Sequence, residues 1–397
     1  MPLPTLRIGI IGAGMIGRAH ARAFRDVEAS FQPPPAMIEL NVVAHADRLL
    51  SKDAQIRWEF TRAATDWRAV AEAEDVDVAV VALPNFKHAQ AVNALLAASK
   101  HVLSEKPLAS TLDDARAMLR NAERAGVVHG VGFNLRRIPA VAALREMVAS
   151  GVLGEVRQYG ARYLTDYAAS THTPFTWRYQ RSLAGSGALG DIGSHIIDLG
   201  RFLVGDITSI HGAALATFIR ERFVPSGHVT GHTHAATTGE KRNVDTDDLG
   251  SFAATFRGGA VGDLRFSRIA TGYRNSAAFE VVGERGSIEF DTERPAEFQL
   301  YLESDDAAIN GFRRVVVGPR HPYFSQVTAF PFAGVGYGYS ETYMAQAYEF
   351  VRAVAENRPY APGFADGVAA VEVCEAVLQS ADQHRAVALG GVGAMSA

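Results

Sequence analysis

A glycine-rich turn close to the start of the chain sets the strongest limit on its fold. Gly12-Ala13-Gly14-Met15-Ile16-Gly17 matches the pattern G-x-G-x-x-G, follows the apolar run Leu6 to Ile11 and precedes a segment with helical spacing. In a strand–turn–helix unit the first glycine permits the tight turn, the second lets a pyrophosphate approach the backbone, and the third lets helix and strand pack closely. We therefore predict a dinucleotide-binding unit in which Gly12, Gly14, Met15, Ile16 and Gly17 contact the cofactor.

Apolar runs and helical segments alternate through the first third of the chain. Val76 to Leu83 is a continuous apolar run, which is typical of a strand buried on both faces. Strict alternation of strand and helix favours a parallel sheet with helices on both faces. We predict a doubly wound Rossmann fold over residues 1–131.

The pattern changes in the second part of the chain, where predicted strands follow one another closely. Gly258-Gly259 separates two of them and predicts a hairpin turn. We predict a C-terminal α/β domain over residues 132–397 with a large, mostly antiparallel open sheet, so the fold class is α/β overall. Two long segments, Glu221 to Asp248 and Pro319 to Tyr339, are predicted to be loops of the kind that bind ligands or partners.

The composition is that of an ordinary globular protein, with 48% hydrophobic residues, 21% charged residues and a formal net charge of -4. This balance gives no reason to expect nucleic acid or a membrane as a partner. The one cysteine, Cys374, excludes an intrachain disulfide and a cysteine-based zinc site. Because the first residues carry no secretory signal pattern, we expect a cytoplasmic location.

Asp47, at the end of the second predicted strand, is the next residue that a dinucleotide site requires. A carboxylate at this position accepts hydrogen bonds from a ribose diol and repels a 2′-phosphate. Arg48 follows directly and leaves NADP open as an alternative. We predict NAD as the cofactor, with Asp47 and Arg48 at its adenosine half.

Two further groups of residues indicate proton and hydride chemistry. Lys106 follows the predicted strand His101 to Leu103, at the edge where parallel sheets bind ligands, and its ammonium group could stabilise a developing alkoxide. Asp191 and His195 are four residues apart at a predicted helix start, and imidazole is the usual proton acceptor near neutral pH. Taken alone, this pair also fits a helix-capping aspartate and a packed histidine.

The order of these motifs resembles that of the Gfo/Idh/MocA oxidoreductase family, in particular its members that act on anhydrosugars and inositols. The shared motifs cover nearly the whole chain and are Gly12 to Gly17, Pro84-Asn85-x-x-His88, Glu105-Lys106-Pro107 and Gly190-Asp191-x-Gly193-x-His195. The resemblance implies that Lys106, Asp191 and His195 are catalytic, that His195 takes the hydroxyl proton and that Lys106 polarises the same oxygen. It also implies a homodimer or homotetramer formed through the C-terminal sheet.

By the same resemblance, two sets of residues line the site. The nicotinamide half of the cofactor is expected to contact Pro84, Asn85, His88, Glu105 and Lys106. The substrate is expected to contact Lys106, Asn134, Arg136, Tyr163, Trp177, Arg178, Asp191 and His195. The predicted activity is the NAD-dependent oxidation of a secondary hydroxyl of a sugar, an anhydrosugar or a cyclitol to a ketone.

Two alternative functions remain open at this level. One is a glycoside-processing enzyme that oxidises C3 transiently, so that a C–O bond breaks by elimination and the cofactor is regenerated. The other is a non-catalytic NAD-binding protein, which would have no need for an acid–base pair beside the nicotinamide. His228, His232 and His234 lie in a polar segment without carboxylates that would complete a zinc site, so no metal is predicted.

Overall fold

The computed structural model describes residues 3–390, with the exception of 228, 230 and 232–234. The chain forms two compact units. The first contains Met1–Asn134 and Gly338–Val368, and the second contains Leu135–Tyr337 and Ala369–Ala397. The first segment of the first unit ends at Asn134, close to the predicted boundary at residue 131. Its second segment, Gly338–Val368, falls within the predicted domain of residues 132–397.

The first unit contains a parallel sheet of six strands in the order β3-β2-β1-β4-β5-β6. The strands are β1 (Thr5–Ile11), β2 (Met37–Ala44), β3 (Arg62–Ala64), β4 (Val78–Val81), β5 (His101–Ser104) and β6 (His129–Val131). The helices between them are α1 (Met15–Ser30), α2 (Arg48–Trp58), α3 (Arg68–Ala71), α4 (His88–Ala97) and α5 (Leu112–Ala125). The alternation and the parallel, doubly wound sheet agree with the Rossmann fold that the sequence predicted.

Local signals account for the limits of these elements. Thr111 accepts a hydrogen bond from the backbone of Asp114 at the start of α5, and Gly126 ends the helix in the left-handed conformation with φ 65°. All four residues of β4 are buried, as a strand covered on both faces requires.

The second unit contains a mixed sheet of nine strands in the order β16-β15-β14-β13-β7-β12-β11-β8-β17, and a separate hairpin of β9 and β10. The strands are β7 (Val156–Leu164), β8 (Ile207–Ala216), β9 (Glu221–Pro225), β10 (Thr237–Asn243), β11 (Leu249–Phe256), β12 (Val261–Ser267), β13 (Ser276–Gly283), β14 (Gly286–Asp291), β15 (Glu297–Leu302), β16 (Arg313–Val316) and β17 (Val387–Ala388). Only the pair β7–β12 is parallel among the sheet's described pairings, which confirms the predicted, mostly antiparallel sheet.

The helices of the second unit are α6 (Pro139–Ala149), α7 (Arg181–Ala184), α8 (Ser194–Leu203) and α9 (Phe324–Val327). In β12 the side chains alternate, so that Leu264 and Phe266 are buried while Asp263 and Arg265 are exposed. The buried face packs against apolar residues of α8, including Ile196. One face of the sheet therefore carries the hydrophobic core, as period-2 alternation predicts.

The chain then returns to the first unit through α10 (Tyr339–Ala355), and α11 (Phe364–Gln383) follows. Helix α10 packs against α1, and its side chains Tyr343, Phe350 and Val351 join the core of the first unit. The apolar pattern of α10 shows that it packs, but its packing partner depends on contacts far apart in sequence. A prediction of two consecutive domains from the sequence therefore did not assign α10 to the first unit.

The segment Glu221 to Asp248 is not the loop that we predicted, because it contains the hairpin of β9 and β10. Every side chain of β10 is exposed, so this strand shows no apolar alternation from which it could have been recognised. Arg222 in β9 is fully buried and donates hydrogen bonds to the carbonyl oxygens of Ala168, Ser170 and Thr173. These bonds fix the hairpin to the chain that follows β7.

No helix in the described part of the chain is both long and apolar enough to cross a membrane. Within the same residues, no group of three or more His, Cys, Asp or Glu side chains is arranged to hold a metal ion. The histidines considered as possible metal ligands, His228, His232 and His234, lie outside the described residues.

Candidate active site

The glycine-rich turn connects β1 to α1, and a side chain at each of its three glycines would meet different surroundings. Gly12 has φ +118°, and a Cβ at this position would lie 2.3 Å from the carbonyl oxygen of Ala82. A Cβ at Gly17 would lie 1.8 Å from the carbonyl oxygen of Gly12, so only glycine lets α1 pack this closely. A Cβ at Gly14 would meet no atom within 4 Å, so the backbone faces open space there. Since α1 begins at Met15 with no acidic residue in its first turn, this space fits the pyrophosphate of a dinucleotide.

Asp47 lies between β2 and α2. Its Oδ1 accepts hydrogen bonds from the backbone of Leu49 at 2.8 Å and Leu50 at 3.1 Å, so Asp47 is the N-cap of α2. Arg48 lines a cavity of about 570 Å³ together with Lys52 and Asp66, beside the carboxyl end of β3. Ribose binding by Asp47 remains a prediction, and the cap shows how its carboxylate is held in place.

The loops that follow β4 and β5 are joined by a buried histidine. His88, the first residue of α4, is fully buried, and its Nε2 and Nδ1 lie 2.8 Å and 3.0 Å from the carbonyl oxygens of Leu83 and Pro107. Burial lowers the pKa of His88 below its usual value of 6.5. His88 therefore connects the loop that carries Pro84 and Asn85 to the loop that carries Lys106.

In the second unit, Asp191 lies in a π-helical turn, Leu189–Gly193, and His195 is in the first turn of α8. Asp247 holds this segment, because its two carboxylate oxygens accept hydrogen bonds from the backbone of Gly187 at 2.6 Å and Leu189 at 2.8 Å. A Cβ at Gly187 would lie 2.0 Å from the carbonyl oxygen of Asp247, so the approach requires glycine. The predicted helix start thus consists of a π-helical turn that hydrogen-bonds to Asp247 and leads directly into α8.

Asp191 and His195 each contact a tyrosine from the end of β7 or the residues just beyond it. The Tyr167 hydroxyl donates a hydrogen bond to Asp191 Oδ2 at 2.5 Å. Loss of water contact and the nearby Asp191 raise the pKa of Tyr167 well above 10.0, so the phenol remains a donor. The ring of Tyr163 lies 5.8 Å from that of His195, and its hydroxyl donates to Asn275 Oδ1 at 2.9 Å. The structure therefore brings together three predicted residues, Tyr163, Asp191 and His195, with Tyr167.

Four other predicted substrate residues have defined partners within their own units. Arg136 donates to both oxygens of Asp198 at 2.8 Å and 2.6 Å, and both side chains are buried. Asn134 donates to Thr342 Oγ1 at 2.8 Å. The guanidinium of Arg178 lies 4.5 Å from the centre of the neighbouring Trp177 ring in a 3₁₀ turn. Substrate binding by these four residues remains a prediction.

Comparison with known proteins places both units in one family. Residues 6–133 match the family model described as oxidoreductase family, NAD-binding Rossmann fold, and residues 141–289 match the GFO/IDH/MocA C-terminal domain. Levoglucosan dehydrogenase of Pseudarthrobacter phenanthrenivorans is 39% identical over 380 residues, which are 96% of this chain and 97% of the relative. The chain belongs to the GFO/IDH/MocA oxidoreductase family.

Other GFO/IDH/MocA members resemble the chain over its full length. Inositol 2-dehydrogenase of Rhizobium meliloti is 25% identical over 385 residues, which cover 97% of this chain and 99% of the relative. A solved structure of levoglucosan dehydrogenase in complex with NADH and levoglucosan matches with a TM-score of 0.91 and 37% identity, covering 98% of this chain and 100% of that chain. The predicted family, the Rossmann fold and the class of NAD-dependent oxidoreductase are confirmed.

Three residues that hold the GFO/IDH/MocA motifs in place were not predicted from the sequence. Tyr167 holds Asp191, Asp247 holds the turn before it, and His20 on α1 pairs with Glu105. A signal existed for His20, since it is a polar residue on the apolar face of a helix. No comparable signal existed for Asp247, which is 60 residues from the backbone group that it binds.

Proposed function

We propose that this chain oxidises a secondary hydroxyl of a sugar, an anhydrosugar or a cyclitol to a ketone, with NAD as the hydride acceptor. The observation that carries the proposal is the hydrogen-bonded group of Tyr167 and Asp191 next to His195, in a chain whose first unit has a dinucleotide turn. The substrates of the full-length relatives, levoglucosan and inositol, support this choice of chemical class.

Three side chains have distinct roles in this proposal. His195 accepts the hydroxyl proton while the adjacent C–H bond loses its hydride, and Lys106 donates a hydrogen bond to the same oxygen as negative charge develops there. Asp191, held by Tyr167, orients the imidazole or a neighbouring substrate hydroxyl. The alcohol thus loses one proton and one hydride and becomes a ketone.

NAD, when bound, takes up the hydride from the carbon that carries the hydroxyl. We propose that Gly12, Gly14, Met15, Ile16 and Gly17 hold the pyrophosphate, that Asp47 and Arg48 bind the adenosine half, and that Pro84, Asn85, His88, Glu105 and Lys106 line the nicotinamide half. Asp47 should make kcat/KM higher with NAD than with NADP, because its carboxylate repels a 2′-phosphate.

The test is a panel of cyclitols, aldoses and anhydrosugars, with NADH formation measured by absorbance. Net NADH from a free polyol supports a dehydrogenase, whereas turnover of a glycoside without net NADH would favour transient oxidation and elimination. Lys106→Ala and His195→Ala should each lower kcat by about a hundredfold or more while NADH still binds.

Matched controls exist for both variants. Lys100 precedes β5 and donates to the carbonyl oxygen of Ala73, and His211 lies on β8. Lys100→Ala and His211→Ala should leave kcat within about twofold, since neither residue belongs to the proposed site and loss of a part-buried hydrogen bond affects stability rather than the chemical step. Unchanged turnover in both Lys106→Ala and His195→Ala would refute the assignment.

We also propose a cytoplasmic enzyme that assembles as a dimer or tetramer through the nine-stranded sheet. Support for the location comes from the cysteine content, because the one cysteine, Cys374, is buried and cannot form an intrachain disulfide of the kind common in secreted proteins. Support for the assembly comes from the family resemblance, which implies oligomers formed through this sheet. Light scattering after gel filtration tests the assembly, and a monomer would exclude it.

A further inference from the structure

A buried pair of titratable side chains lies beside Lys106 in the first unit. His20 Nε2 donates a hydrogen bond to Glu105 Oε1 at 2.8 Å, and the two side chains are 1% and 8% exposed. His20 comes from α1 and Glu105 directly follows β5. The pair therefore links the helix of the dinucleotide turn to the residue that immediately precedes the proposed catalytic lysine.

The Glu105 carboxylate has little room to move. A Cβ at Gly132 would lie 2.7 Å from Glu105 Oε1, so the carboxylate packs directly on the backbone at that position. Its other oxygen lies 3.3 Å from the backbone nitrogen of Lys106, which donates to it. A buried carboxylate needs such partners, because leaving one unsatisfied costs the full desolvation of the charge.

The His20 ring is itself held in one orientation. The ring meets Tyr343 of α10 edge-on, with centroids 5.1 Å apart and planes at 89°. Within the described residues, its Nδ1 is buried without a hydrogen-bond partner. A proton on Nδ1 would have no acceptor there, whereas a proton on Nε2 is accepted by Glu105, so the ring donates through Nε2.

We propose that His20 is a positioning residue for Lys106: it fixes the Glu105 carboxylate, and through it the backbone from which the lysine side chain projects. His88 holds the other end of the same loop through the carbonyl oxygen of Pro107. Two buried histidines thus fix residues 105–107 from both sides. The proposal rests on the proposed function of Lys106, since a catalytic ammonium group must be held close to its productive position.

The test uses one disruptive variant, one conservative variant and one matched control. His20→Leu removes the donor to Glu105, and His20→Gln keeps an N–H group near the position of Nε2. His101→Leu is the control, because His101 lies at the opposite end of β5 and likewise makes one hydrogen bond, from the backbone of Val128.

The first readout is independent of turnover. The chain has five lysines, Lys52, Lys87, Lys100, Lys106 and Lys241, so ¹³C-methylation of lysine gives few NMR signals, and Lys106→Arg identifies the one from Lys106. We expect the chemical shift of the Lys106 signal to change in His20→Leu, to return towards the wild-type value in His20→Gln, and to be unchanged in His101→Leu.

The second readout is kcat per NADH-binding site, together with the primary isotope effect of a substrate deuterated at the reacting carbon. His20→Leu should lower kcat by about tenfold to a hundredfold and raise the isotope effect, because a displaced lysine slows the hydride step itself. A purely structural role would reduce the number of binding sites but leave both quantities unchanged. That result, or a Lys106 signal unmoved by His20→Leu, would overturn the proposal.

A substitute variant and the NMR comparison distinguish a failure of this proposal from a failure to fold and from a failure of the proposed function. If His20→Leu does not fold, Glu105→Gln replaces it, because it keeps the shape of the side chain and removes the charge beside Lys106. The Lys106 signal must move in that variant for the proposal to stand. If the wild-type protein oxidises no polyol, the proposed function fails, while the NMR comparison still decides whether His20 positions Lys106.

Discussion

Replacing Tyr167 with phenylalanine removes one hydroxyl and leaves the ring in place. The deleted group donates the 2.5 Å hydrogen bond to Asp191 Oδ2. A hydrogen bond to a charged partner contributes about 1.5–3 kcal/mol. Because Asp191 is half-buried, water can replace part of the bond, so the lower end of the range applies. At 1.36 kcal/mol for each factor of ten, kcat/KM should fall about tenfold.

The pH dependence gives a second, independent signature of Tyr167→Phe. Without the Tyr167 donor the Asp191 carboxylate is more strongly negative and favours the protonated form of His195, the proposed base, so the acidic limb of the kcat/KM profile should move to higher pH. The matched control is Tyr337→Phe, which deletes a hydroxyl bonded to the carbonyl oxygen of Pro295 in the same unit. Steady-state kinetics with the best substrate of the panel, measured across pH, make the comparison. If Tyr167→Phe and Tyr337→Phe behave alike in both rate and profile, Tyr167 does not hold a functional Asp191.

Three other predictions concern the supports of the site. Gly17→Ala should destabilise the first unit, because the new Cβ would meet a backbone oxygen at 1.8 Å, whereas Gly14→Ala should keep the melting temperature and weaken NADH binding in a fluorescence titration. Arg136→Leu should lower the free energy of unfolding by about 3 kcal/mol in urea, because it removes one half of a buried ion pair with Asp198; a loss below about 1 kcal/mol would contradict this. The pKa of His88 is lower in the folded protein than in the unfolded chain, where it is about 6.5. Below pH about 6.5 the unfolded chain therefore binds more protons at His88 than the folded protein does. As the pH falls from there, His88 should reduce the free energy of unfolding by up to about 1.4 kcal/mol per pH unit. His88→Gln should remove this part of the slope, and an unchanged slope would show that His88 does not contribute.

Much of the fold follows from local patterns. Helix α5 is an example, because Thr111 and Gly126, the residues that limit it, are its immediate neighbours in the chain. Patterning failed for β10, whose side chains are all exposed and therefore carry no apolar period. It also could not assign α10 to the first unit, since an apolar helix face does not name the surface that covers it.

The candidate site divides in the same way. Gly12 and Gly17 belong to one turn. A side chain at Gly17 would collide with the backbone oxygen of Gly12. A side chain at Gly12 is disfavoured by the positive φ and would collide with the backbone oxygen of Ala82, which follows β4. The bond from Tyr167 to Asp191 spans 24 residues, and that from His20 to Glu105 spans 85. Residues separated by such distances meet only after the strands and helices between them have packed.

Patterns among near neighbours in the chain were enough to predict the dinucleotide turn, the parallel sheet of the first unit, the mostly antiparallel sheet of the second, and the residue types able to move a proton and a hydride. They were enough because steric limits on glycine and apolar periodicity act between near neighbours. Tertiary structure alone decided which groups hold those residues: Tyr167 for Asp191, Asp247 for the turn before it, and His20 for Glu105. A hydrogen bond between distant residues has no local signature, because its geometry exists only once the intervening chain is folded.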